Sequence, residues 1–204
     1  MFHTPRDTGW IEVITGCMFS GKTEELIRRL NRARYAKQSV LIFKPRVDQR
    51  YASDSVVSHS KQELRAVAID TVNEIFDHVA DVEVVGIDEA QFLRGDLCAA
   101  AERLADEGKR VIVAGLDQDF LGRPFEPMPR LMAVAEYVTK NLAICMRCGN
   151  PADRSQRLVR REATVVVGGT EAYEARCRRC FDPALSAPSQ KALFEDGSVI
   201  EEEA

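Results

Sequence analysis

The stretch WIEVITGCMFSGKTEELIRRL, residues 10–30, reads as strand, turn and helix in immediate succession. Trp10–Gly16 is a short apolar run that stops at glycine, the pattern of a buried strand. From Lys22 onward, Leu26, Ile27 and Leu30 recur at helical spacing with charges between them. Joining the two, Gly16–Thr23 satisfies the spacing G-x-x-x-x-G-K-S/T of a loop that wraps phosphate groups. Each residue type has a physical reason. Gly16 and Gly21 let the backbone turn tightly, so several N–H groups converge on one anion. The following helix presents the positive end of its dipole. Lys22 adds a mobile cation, and the Thr23 hydroxyl can join the shell of a Mg2+ ion. A glycine turn with a chance lysine is the bland alternative, and the strand and helix on either side count against it.

The same alternation continues outward. Ser39–Lys44, Val82–Asp88 and Arg110–Leu116 are further apolar runs, and residues 95–109 between the last two have helical periodicity. Continuous β-branched runs alternating with amphipathic helices specify an α/β fold, a parallel sheet covered on both faces. The pattern spans residues 10 to about 141 and breaks from Ile144, where cysteine pairs, arginines and one strand-like run (163–169) replace it. The expected organisation is a nucleotide-binding domain over 1–143, a small module over 144–181 and a solvated, mobile acidic tail over 182–204.

Composition narrows the function classes. A chain of 204 residues fits one full-sized domain with a small second unit. Its net charge of -4 gives no basic footprint for duplex nucleic acid. No run approaches the roughly 20 apolar residues of a membrane helix, and MFHTPRDTGW at the start lacks the apolar run of a signal peptide. The expectation is a cytoplasmic protein with neither nucleic acid nor membrane as partner.

Without export signals, six cysteines point to metal or free thiols before disulfides. Cys145 and Cys148 form one C-x-x-C pair, Cys177 and Cys180 another. Each pair can present two thiolates to one tetrahedral Zn2+, and four protein ligands leave no open position, so the metal is expected to be structural. The 149–176 spacer exceeds the roughly 15–20 residues common in such sites and contains hairpin-like material. A redox pair or accidental spacing is the alternative. Cys98 reads as packing; Cys17, inside the loop, reads as a small side chain or an oxidation-sensitive thiol.

Asp88-Glu89 closes a buried run, where phosphate-loop proteins place a metal-organising aspartate. Alternation along a strand is expected to turn the two carboxylates to different sides. Asp88 then serves the Mg2+ shell, and Glu89 can accept a proton from a hydroxyl or water. A polar strand end capping the next helix is the bland alternative. The sequence DEAQ, 88–91, also occurs in nucleic-acid motors, so this motif alone does not separate small-molecule kinases from ATPases.

Taken in order, MFSGKT (18–23), DQRY (48–51), GIDEAQF (86–92), GLDQDFLGRPF (115–125), the cysteine pairs and VVVGGTEAY (165–173) resemble the zinc-containing thymidine kinases of bacteria and animal cytosol, over about Trp10 to Phe181. The resemblance implies a recombinase-like α/β core with a zinc-binding lasso domain. It implies transfer of phosphate from ATP to the 5′-hydroxyl of thymidine in nucleotide salvage, a homotetramer, and feedback inhibition by thymidine triphosphate. By this resemblance ATP with Mg2+ is held by Gly16, Cys17, Met18, Phe19, Ser20, Gly21, Lys22 and Thr23. Asp48, Gln49 and Arg50 join them, as do Asp88, Glu89, Ala90 and Gln91. An arginine there can offset developing negative charge. Glu89 matches the general base. Phe120, the segment Thr164, Val165, Val166, Val167 and Gly168, and Tyr173 match nucleoside contacts. A neutral pyrimidine offers no charge to pair, so stacking and backbone hydrogen bonds must recognise it, and an extended VVVGG segment exposes such groups. The lasso also keeps water from the γ-phosphate.

Two positions depart from the family pattern. Proline is usual where Cys17 stands, and an aromatic followed by threonine where Arg154-Ser155 stands. Ser155 keeps a hydroxyl for the base pocket, while Arg154 alters its surroundings, which bears on the choice of thymidine over deoxyuridine. His59 reads either as a neighbour of the nucleotide or as a loop residue without a role; His3 and His78 read as surface. The arginines at 154, 157, 160, 161, 176, 178 and 179 are expected on a solvated or inter-subunit face. Two rival classes remain at this stage: a DNA-stimulated ATPase with a zinc ribbon, and a non-enzymatic nucleotide-gated module.

Overall fold

A computed structural model describes residues 8–47, 55–57, 63–158 and 172–186. In chain order the main elements are β1 (Trp10–Thr15), α1 (Lys22–Tyr35), β2 (Val40–Pro45), β3 (Ser55–Val57), β4 (Glu63–Ile69), β5 (Val84–Ile87), α2 (Leu97–Asp106), β6 (Arg110–Gly115), α3 (Met128–Val134) and β7 (Tyr137–Lys140). They form one sheet in the order β3-β4-β2-β5-β6-β1-β7. β3 runs antiparallel to β4, and every other pairing is parallel.

The four strands legible as apolar runs take the adjacent central places β2, β5, β6 and β1. Their residues alternate between two cores. Val13, Phe43, Val85, Ile87 and Val113 face α2 and α3, whereas Ile14, Ile42, Val84, Ile112 and Ala114 pack with Leu26, Ile27 and Leu30 of α1. Burying each large aliphatic side chain contributes about 1.5–3 kcal/mol. α1 also lies close to the sheet at Gly86, where a Cβ would meet Leu30 at 2.7 Å. Glu24 and Glu25 in its first turn and Arg32 and Arg34 in its last complement the helix dipole.

After β7 the chain builds two antiparallel pairs: β8 (Ala143–Ile144) with β9 (Pro151–Ala152), and β10 (Arg154–Arg157) with β11 (Tyr173–Arg176). Arg157 and Arg176 are only 1% and 2% exposed, contrary to the solvated face expected for them. Such short pairs offer little apolar area, so arginine stems fill the space while their heads find partners. Arg176 donates to Gln156 Oε1 and to the Cys180 carbonyl, each at 3.2 Å. The Arg157 guanidinium lies 3.6 Å from the centre of the Phe120 ring. Arg178 and Arg179 are exposed; Arg160 and Arg161 lie outside the described residues. Of the segment read as a tail, Pro183–Ser186 is a short helix, α4. Gln156 holds its entry, accepting from the Asp182 N–H at 2.8 Å and donating to the Asp182 carbonyl at 2.9 Å. Residues 187–204 lie outside the description. Among the described residues no helix is long and apolar enough to cross a membrane.

One polar group is built into the α1 side of the sheet. The Glu12 carboxylate, 6% exposed, accepts from Arg110 and Arg29 at 2.7 Å each and from the Trp10 indole at 2.8 Å. Burial pushes its pKa up, but bonds and charge from Arg110, then Trp10 and Arg29, outweigh that and hold it below the ordinary 4.5. A depressed carboxylate contributes stability above its unfolded value that is lost as pH falls through its folded value. Glu12→Ala should cost about 3 kcal/mol in urea denaturation at pH 7, because the half-buried Arg110 loses its carboxylate partner and Arg29 loses one of its two. The deficit should narrow below about pH 4. A deficit constant with pH would assign the loss to packing instead.

Candidate active site: phosphate loop, carboxylate pair and cysteine cluster

At the end of β1 the backbone enters the loop through Gly16 at φ 141°, where a Cβ would lie 2.2 Å from the Asn141 carbonyl oxygen. Gly21 at φ 76° delivers the chain to α1. A side chain at the first position has no room, and one at the second would be strained. Asn141 supports this geometry: its N–H donates to the Thr15 carbonyl at 2.8 Å, and its side-chain amide to the Gly21 carbonyl at 3.3 Å. Lys22 folds over the loop, its Nζ 2.9 Å from the Cys17 carbonyl. Among the described residues, Ser20 Oγ is buried without a hydrogen-bond partner. A buried orphan hydroxyl in this loop fits an anionic guest, because phosphate oxygens would accept from it.

Asp88 follows β5, and its carboxylate accepts from the Thr23 hydroxyl at 3.1 Å. Burial and the neighbouring Glu89 charge raise its pKa to about 7, opposed by the Glu89 N–H, Thr23 and Lys22. Such a site favours a cation, which would replace the proton. Glu89 is not on strand geometry: it sits at φ 48°, ψ 43°, opening a 3-10 turn over Ala90–Phe92. Strand alternation therefore does not govern the pair, and the backbone reversal aims Glu89 instead. Gln91 links that carboxylate to β6, donating to Glu89 Oε2 at 2.6 Å and accepting from the Leu116 N–H at 3.0 Å. Ala90 is fully buried beneath this turn.

Some residues near these groups were not singled out by motif. Phe92 and Phe125 meet edge to face, centroids 6.3 Å apart, and both are half-buried. Asp117, 5% exposed, pairs with Lys140 at 2.6 Å and so ties the end of β6 to that of β7 across β1. Their signal was position: each follows a sheet strand or lies within a quoted motif. Phe120 is half-buried under Arg157, and Tyr173 is 6% exposed on β11. Asp48, Gln49, Arg50, His59, Thr164, Val165, Val166, Val167, Gly168 and His3 lie outside the described residues. His78 is exposed, and Cys98 is buried in α2.

The sulfur atoms of Cys145, Cys148, Cys177 and Cys180 all lie within 4.8 Å of one another, with Cys148 and Cys177 3.6 Å apart. Tetrahedral zinc thiolates would place sulfurs roughly 3.8 Å apart, so the donor set fits that ion. Burial opposes ionisation of Cys145, but the N–H groups of Cys177, Arg147 and Cys148 outweigh it and bring the thiol to about 6. Side-chain bonds from Cys148, burial and the other two cysteines push Cys180 up to about 12.

The sequence profile named "TK: Thymidine kinase" matches residues 9–181. The chain belongs to the thymidine kinase family. It is 56% identical over 191 residues to a thymidine kinase of Rhodothermus sp. (strain ITI 518), covering 90% of both chains. Among solved structures it is loosely similar to the flagellar accessory protein FlaH of Methanocaldococcus jannaschii. That match has a TM-score of 0.48 and 12% identity, and covers 71% of this chain and 75% of the other. A second loose likeness is domain III of the Thermotoga maritima replication initiation protein DnaA, with TM-score 0.40, 18% identity and coverage of 64% and 54%. In this thymidine kinase family member the Gly16–Thr23 loop, the Asp88-Glu89 strand end and the cysteine cluster all fall within the matched residues.

The left-handed conformation at Glu89 is testable by itself. Glycine adopts it without a Cβ penalty, so Glu89→Gly should be more stable than Glu89→Ala by about 1 kcal/mol in matched denaturation curves. Equal stability, or Ala ahead, would show that this conformation costs nothing.

Proposed function

We propose that the protein transfers the γ-phosphate of ATP to the 5′-hydroxyl of thymidine, in nucleotide salvage for DNA synthesis. The observation that carries the residue assignment is the Thr23–Asp88 contact at 3.1 Å, which joins the phosphate loop to the acidic strand end beside Glu89. Gly16–Thr23 bind the donor phosphates, with Lys22 released from the Cys17 carbonyl to reach them. Thr23 and Asp88 would hold Mg2+, which would offset phosphate charge. Glu89 takes the proton of the 5′-hydroxyl. The sugar oxygen bonds to the γ-phosphorus, the bond to the β–γ bridging oxygen breaks, and ADP departs with its electron pair. Gln91 keeps the Glu89 carboxylate directed during this step. Asp48, Gln49 and Arg50 complete the phosphate side, and Arg50 offsets negative charge on the transferring group. Phe120, Tyr173 and residues 164–168 enclose the nucleoside, and Phe92 with Phe125 adds an aromatic wall next to the Glu89 turn.

This reading divides the chain into a nucleotide-binding domain at 1–143, a zinc-binding lasso domain at 144–181 and an acidic tail at 182–204. Four thiolates around one ion leave no open position, so zinc holds structure and takes no part in chemistry. The protein acts in the cytoplasm as a homotetramer inhibited by thymidine triphosphate. The family membership and the donor sets support these assignments.

Purified protein with Mg-ATP should release ADP only when thymidine is present. Glu89→Gln should lower kcat by about 10²–10⁴-fold while ADP still binds. Turnover within a few-fold of wild type in that variant would remove the base assignment, and ATP hydrolysis that rises with single-stranded DNA but ignores thymidine would point to a motor.

Metal analysis should find about one zinc per chain. Cys148→Ser should lose most of it and lower the melting temperature by several degrees. A protein free of zinc yet fully folded would leave the cysteines as plain packing.

A further inference from the structure

The phosphate loop is fastened from outside the strand and helix that carry it. The Met18 N–H donates to Ser155 Oγ at 3.0 Å, and the Cys17 thiol donates to the Ala152 carbonyl at 3.3 Å. Both anchors lie on strands of the cysteine module, β9 and β10. Ser155, 4% exposed, pairs with Ala175 across β10 and β11, two residues before Cys177. Ala152 pairs with Ala143 across β8 and β9, two residues before Cys145. Around them Cys17, Ala143, Cys145, Ala152, Ala175 and Cys177 form one buried cluster, with Phe19 packed on it.

We propose that Ser155 is a positioning residue for the phosphate loop, so that the cysteine module sets the affinity for the nucleotide as well as enclosing the acceptor. This rests on the reading of Gly16–Thr23 as the ATP loop. The physical step is short. An anion-binding loop works only if its N–H groups converge before the anion arrives, and the Ser155 hydroxyl fixes the peptide preceding Met18. Losing it leaves the part-buried Met18 N–H without its Ser155 acceptor, and the loop reorients to satisfy that donor at the expense of the cradle. The role differs from that of a hydroxyl lining the base pocket. A pocket residue would change nucleoside selection and leave the complex with nucleotide alone untouched.

The test is calorimetric titration of Mg-ADP into the zinc-loaded protein without nucleoside, for wild type, Ser155→Ala and Ser155→Thr. Ser155→Ala should raise Kd about 5–10-fold, and Ser155→Thr, which restores the hydroxyl, should recover most of it. In steady state, KM for ATP should rise in the alanine variant while KM for thymidine stays within about two-fold. An unchanged ADP affinity in a zinc-loaded alanine variant overturns the proposal. So does a shift confined to thymidine. Should the alanine variant fail to fold, hydrogen exchange on ligand-free wild type decides: a protected Met18 amide supports the tether, and fast exchange there overturns it. Wild type that binds no Mg-ADP at all would instead remove the phosphate-loop reading, and the proposal with it.

Discussion

The contact between the Thr23 hydroxyl and Asp88, 3.1 Å long and spanning 65 positions of sequence, is the constraint on which the site depends. β1, which delivers the phosphate loop, and β5, which delivers Asp88, are not neighbours; β6 lies between them. Strands two places apart are separated by about 10 Å, so no backbone hydrogen bond can join them. Only side chains beyond their carboxyl ends can close the distance, so the relative height of the two strands decides whether they meet. Parallel registers set that height: Val13 and Ile87 both align with Val113 of β6. β5 therefore ends two residues below Thr15, where β1 stops before the loop returns to Thr23 at the start of α1. A slip in either pairing would move one group along the strand by about 3.3 Å per residue and break the contact.

Around that contact the protein accumulates features that oppose folding. Asp88 is buried beside a second carboxylate, Phe19 and Glu89 adopt left-handed backbone conformations, and the Ser20 hydroxyl is buried without a partner among the described residues. Each left-handed residue costs about 1 kcal/mol, and a buried unsatisfied hydroxyl costs about as much. The two apolar layers of the sheet offset such costs, since any one of Leu26, Ile27 and Leu30 contributes more than one of them. On the proposed reading, a guest carrying phosphate and a divalent cation would supply partners to the same atoms, and the strain would be concentrated where that ligand relieves it.

The central sheet was legible because its strands are buried on both faces and so read as unbroken apolar runs. β4 carries Glu63 and Arg65 within it, and β7 is a four-residue edge strand with alternating exposure; neither stands out as a run. The loop and the cysteine pairs were legible because their chemistry fixes spacing. The direction of Glu89 was not, since alternation along a strand says nothing about a residue that has left the strand. Nor was the fate of Arg157 and Arg176 legible. Arginine in a sequence reads as surface, and the sequence does not show the partners that bury these two: the Phe120 ring beside Arg157, and the Gln156 amide, the Cys180 carbonyl and the Glu174 carboxylate beside Arg176.

Cys17 shows how the two parts of the chain came to depend on each other. The cysteine-bearing strands are short, and the buried residues they contribute to their shared cluster are alanines and cysteines, too little apolar area to hold a fold. A metal held by the four cysteines would supply part of the deficit, and the Gly16–Thr23 loop adds to that core by lending it Cys17 and Phe19. The Cys17 thiol donates to the Ala152 carbonyl and receives the Ala143 N–H. Proline in its place would pack but could make neither bond. Burial pushes the thiol up in pKa against the opposing charge of Lys22, and with 2% exposure it is shut away from oxidants. Reactivity needs an accessible thiolate, so the oxidation-sensitive reading of this cysteine gives way to a structural one. Its place in the loop follows from the surface the loop must cover.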